Sequence, residues 1–119
     1  MAVPFAPGDD LIFQLESGYG LLRVLDVEER AGGEVVWHLL AYEELFLDVE
    51  SAEAALAAPG ALTVRAAHLP LTAYAFEKTP VARLGNRPVG DEELAPVGDW
   101  RSRGGEPYER SALLMLGLR

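Results

Sequence analysis

Cysteine is absent from this chain, which excludes disulfides, zinc–thiolate sites and thiol nucleophiles. Histidine is scarce: His38 and His68 are the only two. Metal centres need several convergent ligands, and a catalytic imidazole needs a nucleophile and an orienting acid. Neither histidine has such a partner nearby in sequence, so both read as structural or surface residues. No apolar run approaches the roughly 20 residues of a membrane helix. The opening Met1-Ala2-Val3-Pro4-Phe5 lacks the basic and apolar regions of a signal peptide. A soluble cytoplasmic protein is expected. No Gly-Lys-Ser/Thr loop and no calcium-loop spacing occur, so phosphate-loop and EF-hand chemistry have no sequence basis.

What is present begins with charge. The net charge is −9 over 119 residues, but its distribution is uneven. Residues 1–60 carry twelve acidic and two basic side chains; residues 61–119 carry seven and eight. An acidic surface repels phosphate backbones, so nucleic acid is not an expected partner. A basic protein would be steered towards it.

The chain has no repeat, linker or composition break, and residues 1–119 are read as one domain. Residues 10–16 alternate, with Leu11, Phe13 and Leu15 on one face, as a half-buried strand does. A turn at Ser17-Gly18 leads into a second strand over residues 20–29. A reversal at residues 30–33 precedes a third strand over 34–42, and the three form an antiparallel meander with a negatively charged outer side. Residues 48–58 change period and predict a short helix, with Ser51 as N-cap and Val49, Ala52, Ala55 and Leu56 inward; Pro59-Gly60 stops it. Residues 62–65 and 71–76 read as strands separated by a break at Leu69-Pro70. Residues 85–88 read as a turn and 88–93 as an exposed loop. Residues 94–97 read as an edge strand because Pro96 cannot donate to a ladder, and 98–107 as an irregular loop. Residues 111–118 fit strand or helix equally. The expected fold is α+β and mainly β: an antiparallel meander curled into a small barrel or half-barrel with one short helix.

No catalytic or metal-binding set emerges from the residues, and a non-enzymatic protein without a cofactor is expected. Adjacent carboxylates such as Asp9-Asp10 and Glu28-Glu29 point to opposite faces of a strand and form no acid/base pair. Gly18-Tyr19-Gly20 is accounted for by a hairpin turn. The partner-binding candidates are Asp26, Glu28 and Glu29 on the acidic meander, and Tyr42, Glu43, Glu44 and Asp48, where an aromatic meets a charged rim. A secondary candidate is the stretch holding Trp100, Arg101 and Arg103, where an arginine beside an indole can grip an anion, or the tryptophan can fold back as a core plug.

The residues Phe5-Ala6-Pro7-Gly8-Asp9, the strand at 11–15 and Gly18-Tyr19-Gly20-Leu21-Leu22-Arg23-Val24-Leu25 together resemble the signature of the immunity protein 26 family of bacterial toxin systems. In that family a Gly-Asp leads into an apolar strand, and a Gly-Tyr turn into a strand ending in Val-Leu. The later strands and short acidic helix are similar as far as residue 56, with Gln14 standing where a proline is usual and Leu22 where a second glycine is expected. The resemblance implies a protein that binds and blocks a cognate toxin, and a basic toxin domain would suit the acidic half. Two alternatives stand beside it. One is a general interaction or regulatory module, a homodimer included, with an apolar patch at residues 112–116. The other is a small-molecule barrel with a pocket near Tyr74, Trp100 and Arg101.

Overall fold

Apolar runs rich in β-branched and aromatic residues through the first third of the chain form three long strands, and a computed structural model places them at the centre of one sheet; it describes residues 4–118. The start of the N-terminal stretch, residues 1–3, lies outside the described residues. The elements in chain order are β1 (Asp9–Leu15), β2 (Gly18–Glu29), β3 (Val35–Tyr42), α1 (Val49–Leu56), β4 (Val64–Thr72), α2 (Ala73–Glu77), β5 (Val81–Asn86), α3 (Asp91–Ser102) and α4 (Ala112–Leu116). The five strands form one antiparallel sheet in the order β4-β3-β2-β1-β5. It is mainly β and curled without closing, a half-barrel. None of its helices is long and apolar enough to cross a membrane, among the described residues.

The meander is not half-buried. Leu11, Phe13, Leu22, Val24, Trp37 and Leu39 pack on one face, under α2 and α4. Ile12, Leu21, Leu25, Leu40 and Tyr42 pack on the other, under α1 and α3. Burial on both faces removes apolar surface from water twice per strand. The expected charged outer side of the sheet is therefore absent; helices cover it.

Several later elements differ from expectation for identifiable reasons. β4 runs through Leu69-Pro70 without a break, because it is an edge strand and the missing N–H faces no sheet neighbour. Residues 73–77 are helical, with the Thr72 side chain accepting from Ala75 N–H. Residues 81–86 form β5 against β1. Residues 91–102, expected as loop and edge strand, are one helix that carries Pro96 inside it. Residues 112–116 are helical and end at Gly117 in the left-handed region (φ 69°), where glycine meets no Cβ penalty. The cap of α1 is Asp48, whose carboxylate accepts from Ser51 N–H at 2.7 Å. Val49 points outward and Ala52 inward.

Candidate functional site

Two polar networks lie between the sheet and α3. The first centres on Arg23, a β2 residue 1% exposed. Its Nε donates to Glu93 Oε2 at 2.6 Å, and its NH2 group reaches the carbonyls of Arg87 and Pro88 at 3.1 Å each. Asp10, directly opposite on β1, accepts from Arg23 at 3.5 Å and from both arms of Arg87 at 2.8 Å. Arg87 also donates to the Tyr42 hydroxyl at 3.2 Å. Glu93 accepts from Gly90 N–H at 3.2 Å, closing the first turn of α3. The hydrogen bond from Arg23, helped by the one from Gly90, outweighs burial and holds the Glu93 carboxyl below its usual range. Buried charges persist only when paired and hydrogen-bonded, and every charge here is. This network staples the start of α3 and residues 87–88 to the meander.

Gly8 and Asp9 belong to the same staple. Gly8 has φ 92°, and a Cβ there would collide with the Arg87 carbonyl, which is close because Arg87 N–H donates to Gly8 O at 2.9 Å. Asp9 accepts from Ala6 N–H at 2.9 Å and from Asn86 at 2.8 Å. The Gly-Asp pair on which the family resemblance rests therefore has a folding role of its own.

The second network begins with a β-bulge. Register shifts between Val24 and Asp26, so Leu25 and Asp26 both turn towards α3. That shift sets Asp26 opposite His38 and brings Glu28 to the same face. Glu28 Oε1 lies 2.8 Å from His38 Nε2, and His38 Nδ1 lies 2.8 Å from His68 Nε2 on β4. Arg101 of α3 donates to Glu28 at 2.8 Å and to Asp26 at 2.5 Å, while Arg30 donates to Glu28 at 3.3 Å. Burial pushes the Glu28 carboxyl up, but the hydrogen bonds from His38, Arg101 and Arg30 outweigh it and hold it down at about 2. An ionised Glu28 accepts the His38 Nε2–H. His38 Nδ1 must then be the acceptor, and His68 Nε2–H the donor. Trp100 covers both rings edge-on, at 5.0 Å from His38 and 5.7 Å from His68. Arg30 lies 5.1 Å from the centre of the indole.

A third feature is the loop between β3 and α1. Phe46 turns inward and exchanges two hydrogen bonds with Tyr19, at 2.7 and 2.8 Å. Glu43 N–H donates to Thr63 O at 2.8 Å, and the Glu44 carboxylate accepts from Thr63 N–H at 2.8 and 2.9 Å. The residues between these anchors point out: Leu45 is 44% exposed, Leu47 88% and Val49 37%. Glu43, Asp48 and Glu50 are exposed around them.

The sequence-based candidates thus separate. Asp26 and Glu28 are tied into the histidine network, and Glu29 is exposed at the end of β2. Tyr42 is buried, its hydroxyl bound to Arg87, while Glu43, Glu44 and Asp48 share the projecting loop. Trp100 and Arg101 lie on α3, Trp100 half-buried against the histidines and Arg101 exposed but paired with Asp26 and Glu28, and Arg103 is exposed just past the helix. Tyr74, 67% exposed on α2, lies on the other side of the sheet from Trp100, so the two line no common pocket. It borders instead an open groove of about 750 Å³ with Glu34, Glu77, Glu106 and Glu109. In the 112–116 segment Ala112 and Leu116 are buried and Leu114 is exposed. The pairing of His38 with His68 was not foreseen; only the β3–β4 register, which sequence separation hides, brings them together. No group of three or more metal-ligating side chains converges among the described residues. Comparison with known proteins finds no matching family model, and no curated protein or solved structure similar to this chain.

Proposed function

We propose that this chain is a protein-binding domain whose contact surface is the β3–α1 loop, and that its partner presents an apolar pocket rimmed by basic residues. The observation that carries the reading is Leu47, 88% exposed on a loop whose ends are hydrogen-bonded in place. An apolar side chain held out in water, on backbone already ordered, binds with little further entropy cost. Leu45 and Val49 extend the apolar strip, and Glu43, Asp48 and Glu50 supply the acidic rim. The acidic first half of the chain favours the same kind of partner by steering it in.

A toxin domain, blocked by occlusion, is the specific partner implied by the resemblance at residues 5–56, and it is the form of the proposal we favour. The test is coexpression with the polypeptide encoded by the adjacent gene, followed by size-exclusion chromatography and titration calorimetry. The expected result is a stoichiometric complex that weakens with salt. Leu47→Asp should weaken it by about 2 kcal/mol, roughly 30-fold in Kd. Leu47 makes no core contact, so the variant folds. A complex indifferent to Leu47→Asp, or no complex at all, overturns the reading.

A further inference from the structure

We propose that the Glu28–His38–His68 chain is an acid-sensitive latch that holds the C-terminal turn of α3, and residues 103–105 after it, against the sheet. The argument starts from how that turn is attached. Beyond buried Val97, the turn reaches the sheet through Trp100 against the two imidazoles and through Arg101 on Asp26 and Glu28. Residues 103–105 follow Trp100: Gly105 N–H donates to Trp100 O at 2.9 Å, and Gly105 O accepts from Arg30 at 3.0 Å. A Cβ on Gly105 would enter the indole ring, so this turn and the ring move together.

Every element packed here contributes a charged or titratable group. β2 supplies Asp26, Glu28 and Arg30, β3 supplies His38, β4 supplies His68, and α3 supplies Arg101. Hydrogen bonding dictates the protons: His38 has both nitrogens committed, so a proton arriving from solvent can enter only at His68 Nδ1. Burial first, then electrostatic coupling to His38 and the positive charge of Arg101, oppose it and hold the His68 imidazole at about 4. A half-buried ring escapes that penalty by swinging out, where its ordinary value near 6.5 returns. Outward rotation breaks the 2.8 Å bond to His38 and removes one wall from Trp100. The groove of about 520 Å³ between β2 and α3 is lined by Asp26 and Arg101 among others, so release of the turn also widens that groove.

Opening coupled to the uptake of one proton becomes about tenfold more frequent per pH unit below 6.5, levelling off once the closed form also titrates. The experiment is amide hydrogen exchange by NMR on the whole chain from pH 7.5 to 4.5, expressed as protection factors, with the two indole N–H signals followed in parallel. Protection at residues 100–105 should fall by this slope while amides of β2 and β3 hold theirs, and the Trp100 indole should shift while that of Trp37 does not. His68→Gln keeps a donor near the position of Nε2 but cannot titrate, and should flatten the dependence. The latch is overturned if His68→Gln retains the slope, or if sheet amides lose protection in parallel. It is equally overturned if, in the unmodified chain, His68 titrates near 6.5 while protection at 100–105 stays constant; that measurement stands even if the variant fails to fold.

Discussion

Among the described residues, Arg23 is the largest fully buried side chain, and it behaves as a structural cation. Its guanidinium bonds one carboxylate on β1, another on α3 and three backbone carbonyls. Arg23→Met preserves most of the apolar stem but strands Asp10 and Glu93 with less compensation. The expected loss is about 3–5 kcal/mol, read as a lower denaturant midpoint with an unchanged slope. A loss below about 1 kcal/mol would mean water replaces the guanidinium freely. In sequence, Arg23 is a charged residue within the strand expected over residues 20–29. Charge argues for exposure at any single position, and only the partner residues, some 70 positions away in the case of Glu93, reverse that. The same holds for His38: its place on a strand was legible, its two partners were not.

At the scale of elements, what was legible follows the strength of the local signal. β1, β2 and β3 are long apolar runs bounded by turn residues, and their order and antiparallel pairing were expected, whereas the one-sided burial expected of them was not found. α1 was expected from its change of period and its Pro-Gly stop, though with Ser51 and not Asp48 as its cap. α3 was hidden by Pro96, although Leu94, Val97 and Trp100 recur at helical spacing on its inner side. Helices tolerate an interior proline when outside contacts hold both ends, and here the Arg23–Glu93 staple and the Arg101 pairs do so. Pro96→Ala restores an N–H able to bond the Glu92 carbonyl, and should stabilise the protein by about 1–3 kcal/mol. A thermal midpoint that stays level or falls after this substitution would show that proline shapes the helix for packing. β5 went unseen because six residues ending in Gly-Asn carry more turn signal than strand signal.

For the whole molecule, acid is the direction of weakness. The His68 imidazole is depressed from 6.5 to about 4, and that of His38 is also lowered, by burial first. A base whose folded form binds protons less readily than the unfolded form contributes in full above pH 6.5, and that contribution is lost as pH falls towards 4. Glu28, held at about 2 instead of 4.5, adds a second loss below pH 4.5. Equilibrium unfolding should therefore show stability constant from pH 7 to 8 and declining from about 6.5 downwards. A curve flat to pH 5 would contradict the depressed imidazoles. The strand order has a different consequence, in time. β1 pairs with β2 almost as soon as both exist, but its second neighbour is β5, with Asp9 opposite Asn86. During translation at about 5–20 residues per second, the outer edge of β1 waits roughly 4–14 s for residues 81–86 to leave the ribosome. A nascent chain with one naked edge on its central hairpin is open to strand exchange for that interval, and slower decoding after residue 42 lengthens it in proportion.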